Sequence, residues 1–389
     1  YEPWKSMKAD AILRSENGKD FNVPKVTYKM EVETKLQYYI GAAALAFILD
    51  EDNALIHARR VKDVIVNDYS KLNPNEVSDW GGVTPPMGSL FIAILSLDIV
   101  YDALTPKEIK ACEDVISSQL AKVNREGSWV GVRLGTHGTW DIYKGVRTSP
   151  DSTYYERVIN QITEDGVSSV TNHYAWERLG GGDRRASKSG YMDVLEFTGI
   201  DRRYYNNEKL KKFYRWLYGS SVNCSKEMAI FGDMIPTYDV ENSLLHRRIV
   251  NFDSEAAGYA AWVLKDIPAI GHILTYILPQ KPLPEPVVPS SKSYDNGGAF
   301  FREKGDNPKG LHGMLYNIKS QDEWHTHNEV NALALSGFGN RLLINGGRLG
   351  PPARPAYLNN TLTINGENHS SRLGGGIVES IITDEFDYA

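Results

Sequence analysis

The chain has 389 residues, long enough for two domains and a large core. Hydrophobic residues make up 41% and charged residues 24%, as in an ordinary globular protein, and the formal net charge of -6 excludes a global basic field for nucleic acid. Two cysteines, Cys112 and Cys224, exclude a disulfide scaffold and a four-cysteine zinc site, and no stretch has the apolar length of a membrane span.

From Thr34 to about Leu278 the apolar residues recur at helical spacing. Leu36, Tyr39, Ile40, Ala43, Ala44, Phe47 and Ile48 predict one helix, and Leu55 to Val66 a second. Pro85-Pro86 opens an apolar run from Leu90 to Leu104 that must be buried on most sides. Thr105-Pro106-Lys107-Glu108 supplies an N-cap, a proline at the first helical position and a capping-box glutamate. The helix it opens runs to about Val123, with Ile109, Cys112, Val115, Ile116 and Leu120 on one face. Further helices are expected at 152–163, 186–198, 207–220, 253–265 and 268–277. Many helices with short connections imply a bundle, a solenoid or a toroid of helical hairpins.

The composition then breaks. Pro279, Pro282, Pro284, Pro286 and Pro289 form an extended linker over 279–293. Beyond it the period drops to two. Gly298–Arg302, Gly313–Ile318, Asn331–Leu335, Arg341–Ile344, Thr361–Ile364 and Val378–Ile382 are expected as short strands. The expected organisation is a helical domain over 1–278, the linker, and a β domain over 294–389 with few strands for a closed sandwich. Tyr1 begins no signal peptide and Phe386-Asp-Tyr-Ala389 supplies no closing element, so a trimmed piece of a longer protein is expected.

Four stretches carry chemistry. Gly135-Thr136-His137-Gly138-Thr139-Trp140 reads as an imidazole on glycine-flanked turns beside an indole. Its glycines let backbone approach a ligand, although a structural loop histidine and a core tryptophan fit equally. Asp183-Arg184-Arg185-Ala186-Ser187-Lys188-Ser189-Gly190-Tyr191 would put Arg184, Ser187, Lys188 and Tyr191 on one helical face. Nearby cations favour a phenolate and would make Tyr191 a usable base; the alternative is a basic surface patch beside a buried tyrosine. Asn172-His173-Tyr174-Ala175-Trp176 suits a sugar-carboxylate subsite or ordinary packing. Trp324-His325-Thr326-His327-Asn328-Glu329, if extended, aligns His325, His327 and Glu329 for a divalent metal, or for one catalytic and one structural histidine.

Together these stretches resemble the heparinase II/III-like polysaccharide lyases, whose members combine an α/α toroid with a following antiparallel β-sandwich. Gly135-Thr-His-Gly-Thr-Trp140 is similar to the Asn-Asn-His-Gly-Thr-Trp of alginate lyases, and Tyr191 stands near the family's spacing of about fifty-five residues after that histidine. His325-Thr-His327-Asn-Glu329, Gly339-Asn-Arg-Leu-Leu-Ile-Asn345-Gly-Gly347 and Asn359-Asn-Thr resemble the second-domain run His-x-His-x-Asp, Gly-x-x-Leu-Leu-x-Asp-x-Gly, His-Asn-Thr. The family's asparagine before the toroid histidine is Thr136 here. Its metal positions fall on His327, Asn345 and Asn359. Two of these are neutral amides, which bind zinc poorly, so a hydrogen-bond network is expected instead of a structural metal.

The resemblance implies β-elimination at a uronic acid within an acidic polysaccharide, with no organic cofactor and export to the periplasm or beyond. Tyr191 would donate a proton to the leaving oxygen and act as base, with His137 as alternative base or carboxylate neutraliser. His325 would complete the cleft from the β domain. Asn172, His173, Arg184, Arg185 and Lys188 would meet the carboxylate, Trp140 and Trp176 would stack on sugars, and Tyr357 would touch substrate. The rival expectations are a uronyl C5-epimerase, a glycoside hydrolase built on two carboxylates, and an inactive glycan-binding protein.

Overall fold

The computed structural model describes residues 2–18, 30–72, 84–122, 130–146, 155–156, 159, 191–204, 206–232, 252–264, 284–319, 326–347 and 354–389. They fall into two compact units. One comprises Tyr1–Tyr154, Glu177–Asp201 and Gly271–Pro279, the other Tyr155–Trp176, Arg202–Ile270 and Gln280–Ala389. Among the described residues no helix is long and apolar enough to cross a membrane.

The first unit is helical. Its helices are α1 (Glu2–Gly18), α2 (Met30–Leu49), α3 (Ala54–Asp63), α4 (Thr84–Ile99), α5 (Pro106–Ala121), α6 (Val130–Tyr143) and α7 (Tyr191–Thr198). α2 packs against α1, α3 and α4, and its Leu36, Ile40, Ala43 and Ala44 are buried at the spacing that predicted the helix. In α4 the consecutive residues Leu90 to Ile94 are all buried, as a helix apolar on every side requires. The start of α5 follows its sequence signal. The Glu108 N–H donates to Thr105 Oγ1 at 3.3 Å, and the Thr105 N–H donates to Glu108 Oε2 at 2.9 Å. Ile109, Cys112, Ile116 and Leu120 form its buried face. Burial pushes the Cys112 thiol up to about 12, so it behaves as a core side chain rather than a nucleophile.

The second unit joins two helices to the β structure. α8 (Glu208–Gly219) starts at Asn207, whose Oδ1 accepts from the N–H groups of Lys209 and Leu210 at 2.9 and 3.3 Å. α9 (Ser254–Leu264) packs on α8. Residues 284–291 have no regular structure, and the Val287 N–H donates to the Gly258 carbonyl of α9 at 3.0 Å. The strands are β1 (Lys292–Tyr294), β2 (Gly298–Arg302), β3 (His312–Tyr316), β4 (Ala332–Gly337) and β5 (Asn340–Leu343), in one antiparallel sheet of that order. β6 (Ile381–Ile382) and β7 (Asp387–Tyr388) form a separate pair. Phe300, Met314 and Ala334 lie in register on the sheet's buried face, against which Trp216 of α8 packs at 5.8 Å from Phe300.

Several sequence expectations need correction. The stretch around His137 is not a set of glycine turns but the middle of α6. α1, β1 and β7 were not expected. The segment 326–331 is irregular, with β4 starting only at Ala332, so His327 and Glu329 are not on a strand, and His325 lies outside the described residues. Thr361–Ile364 is not a strand. An Asn365-Gly366 turn closes a single bridge between Ile364 and Glu367 there. Of Val378–Ile382 only Ile381–Ile382 is paired. The helices expected at 152–163 and 268–277 lie largely or wholly outside the described residues.

Candidate active site

α6 carries His137, and α7 opens on Tyr191. α6 packs against both α4 and α7, so the two elements that hold the candidate imidazole and phenol are neighbours within the first unit. Of the three glycines in this helix, the interior pair Gly135 and Gly138 cost it roughly 1 kcal/mol each relative to alanine. Tertiary packing offsets that cost. Leu134, Thr136 and Thr139 are buried, and Trp140, Ile142 and Tyr143 pack against the core of α2, α4 and α5. The Thr139 hydroxyl donates to the Gly135 carbonyl at 2.8 Å, one turn back. His137 itself is half-buried on this frame.

Trp140 is a half-buried ring rather than an open platform. It stacks on Tyr143 at 5.2 Å, with the Lys144 ammonium 5.7 Å from its centroid. Tyr143 meets Tyr101 edge-on at 6.2 Å and donates its hydroxyl to Glu113 Oε1 at 3.2 Å. Burial, then the Glu113 charge, pushes the Tyr143 phenol well above its ordinary range, so it stays protonated. Tyr101, 44% exposed, is the open edge of this aromatic group. Nearby Asp98 is raised by burial and by the charge of Asp102.

In the second unit, the segments holding His327, Asn345 and Asn359 are tied into one hydrogen-bonded knot. All three side chains are buried. Asn345 Nδ2 donates to the Ile230 carbonyl at 3.0 Å, and its Oδ1 accepts from the Asn360 N–H at 2.7 Å. Asn359 Nδ2 donates to the Pro355 carbonyl at 3.0 Å, and its Oδ1 accepts from the Gly346 N–H at 3.3 Å. The Asn328 N–H donates to the Arg354 carbonyl at 2.9 Å and the Leu333 N–H to the Asn360 carbonyl, also at 2.9 Å. Both amides therefore spend an oxygen and a nitrogen on backbone groups. That chemistry does not fit a structural zinc. Tyr357 sits on the turn Ala356–Leu358 and is 72% exposed. His325, Asn172, His173, Trp176, Arg184, Arg185 and Lys188 lie outside the described residues, and of Tyr191 only its place on α7 is described.

A buried relay escaped the sequence reading because α1 did. Ser15 Oγ lies 3.1 Å from His57 Nδ1, and His57 Nε2 lies 3.1 Å from Asp50 Oδ2. Arg60 Nη1 donates to Ser15 Oγ at 3.0 Å, and Lys8 pairs with Asp50 at 3.2 Å. All three relay residues are below 8% exposed and Arg60 caps the hydroxyl, so the group rivets α1 to α3 rather than offering a nucleophile.

No family model and no curated protein matches the chain. Solved structures do. Heparinase III aligns with 94% of this chain and 60% of its own length at a TM-score of 0.60 and 15% identity. The chain has the heparinase III fold. The heparan sulfate lyase HepC of Pedobacter heparinus aligns with 90% of the chain and 56% of its own length, at 0.54 and 15% identity. A second heparinase III aligns with 95% and 63%, at 0.55 and 13% identity. This chain thus spans about 60% of the heparinase III length. The expected class, a helical toroid followed by an antiparallel β-sandwich, is the fold shared with heparinase III.

Proposed function

We propose that this protein is a polysaccharide lyase that cleaves a uronic-acid-containing acidic polysaccharide by β-elimination. The observation that carries the reading is the packing of α6, with His137, against α7, with Tyr191 at its first turn, inside a heparinase III fold. The C5 proton of a uronate becomes acidic only when its carboxylate is neutralised, and donors aimed at the developing enolate supply the largest electrostatic gain. In this reading His137, Asn172 and the arginines at 184 and 185 take the carboxylate. The C5 proton goes to the Tyr191 phenolate or, alternatively, to the His137 imidazole. The C5 electron pair forms the C4–C5 double bond as the C4–O bond breaks, and a tyrosine proton goes to the departing oxygen. The reading also gives His325 and Tyr357 roles at the substrate. Heparan sulfate is the first substrate to test, because one structural neighbour is a heparan sulfate lyase, followed by alginate and other uronate polymers. Such substrates place the protein in the periplasm or outside the cell.

The test is ultraviolet absorbance of the unsaturated product over a panel of uronate polymers. Tyr191→Phe should reduce the rate by at least about a hundredfold, the usual yield of a positioned acid or base, with the melting temperature unchanged. A well-folded Tyr191→Phe protein retaining parental activity would remove the assignment. Proton exchange at C5 without new chain ends would instead indicate an epimerase.

A further inference from the structure

Across the buried face of the sheet runs a row of polar side chains, all within the second unit. Arg302 of β2, His312 of β3 and Ser336 of β4 stand opposite one another in register, and Ser336 pairs in turn with Arg341 of β5. Residues 219–228 lie over this row. Arg302 Nη2 donates to the carbonyls of Gly219 and Ser221 at 2.8 and 2.6 Å, and Nη1 donates to Asn223 Oδ1. Arg341 Nη2 donates to Glu227 Oε2 and to the Met228 carbonyl, each at 3.0 Å. His312 and Ser336 therefore occupy the middle of a seam whose two ends are held shut by guanidiniums.

That middle is unsatisfied. His312 and Ser336 are each 1% exposed, and neither ring nitrogen of His312 nor the Ser336 hydroxyl has a hydrogen-bond partner. The Asn223 Nδ2, at the Arg302 end, is buried in the same condition. Buried polar groups are seldom left so, and three together point to something held among them. The groups on offer are mostly donors: an imidazole N–H, a hydroxyl and an amide NH2. The charges that bear on His312 are the Arg302 and Arg341 guanidiniums, with the Glu227 carboxylate on Arg341 and Glu303 near Asn223, so an acceptor carrying negative charge suits the place better than neutral water. The covering backbone of 219–228 favours a compact ion.

We propose that the seam between His312 and Ser336 binds a small monovalent anion, with chloride as its ordinary occupant. The ion accepts from the His312 N–H and the Ser336 hydroxyl, with Arg302 and Arg341 on either side, and stitches the sheet to the segment that follows α8. The site is independent of the lyase reading.

The experiment is thermal unfolding of the full chain in sodium gluconate, chloride and bromide at constant ionic strength, with bromide-soaked crystals read by anomalous scattering. Chloride and bromide should each raise the melting temperature by about 1–3 °C in a saturable way, and bromide density should stand between His312 and Ser336. Ser336→Ala should lose at least half of that rise. Equal melting temperatures in gluconate and halide, or ordered water in place of bromide, would overturn the site. So would a folded Ser336→Ala protein with the parental halide response. If Ser336→Ala does not fold, the parental titration and the bromide density decide alone.

Discussion

Two buried histidines show how differently one side chain can be used in the same molecule. His57 is satisfied on both nitrogens by Ser15 and Asp50, and the hydrogen bond from His57 is the first cause holding the Asp50 carboxyl below its ordinary value. A depressed carboxyl contributes stability that is present above the unfolded value of ~3.9 and is lost as pH falls through the folded one. His57→Ala strips Asp50 and Ser15 of a buried partner at once and should cost about 2–4 kcal/mol in urea unfolding. A loss below about 0.5 kcal/mol would show that the relay is not a rivet. His312 has the opposite sign. Burial, then the charges of Arg302 and Arg341, hold its imidazole far below the usual range, with Glu227 the carboxylate that faces the row through Arg341. Below a pH of ~6.5 the unfolded chain takes up a proton that folded His312 refuses, so stability falls as pH drops from there toward the folded value. In halide-free buffer, His312→Gln should flatten the stability slope between about pH 6.5 and 5. A slope as steep as the parent's would assign the acid sensitivity to other groups.

At the scale of single elements, legibility followed the strength of the local signal. α5 announced itself through Thr105, Pro106 and Glu108, and the structure has that cap bond for bond. α6 did not, because Gly135 and Gly138 weaken the intrinsic preference that a sequence reading weighs, while the contacts that form the helix come from α4 and α7. The same override moved His137 from a supposed loop onto a rigid helical frame, a better mount for a catalytic group. In the β part, period-two alternation located β2 to β5 within a residue or two, and the polar members of their buried faces, Arg302, His312 and Ser336, were readable signals that went unread. Thr361–Ile364 was misread because an Asn-Gly turn follows it and its apolar residues, Leu362 and Ile364, stay exposed. Gly298, which opens β2, is a position where one added methyl group matters. It has a φ of 124°, and a Cβ there would lie 2.1 Å from the Leu315 carbonyl oxygen. Gly298→Ala should destabilise the second unit by about 2 kcal/mol or more, read as a shifted denaturant midpoint at unchanged slope. An unshifted midpoint would mean the hairpin β2–β3 relaxes freely.

For the molecule as a whole, the composition break at the prolines does not part helices from sheet, because α8 and α9 before it share the second unit with the strands after it. Downstream of it the sheet supplies the floor on which upstream residues are buried. Phe231 stacks on Tyr316 at 4.4 Å, Trp216 packs on Phe300, and Trp262 Nε1 donates to Asp306 Oδ1 at 2.8 Å. Arg302 closes the carbonyls of Gly219 and Ser221 after α8. Composition could not reveal this dependence, because the partners are 44 to 85 residues apart and nothing local to either announces the other. A protein cut at the break, keeping residues 1–283, would bare three large aromatic rings, each with on the order of 150–250 Å² of surface, and leave the end of α8 with unpaired carbonyls. It should bind a hydrophobic dye, elute as an aggregate and show no cooperative melt for α8 and α9, whereas the full chain elutes as a discrete species. If residues 1–283 instead yield a discrete species with a cooperative melt, the helical part stands without the sheet, and the contacts to Phe300, Asp306 and Tyr316 are incidental to its stability.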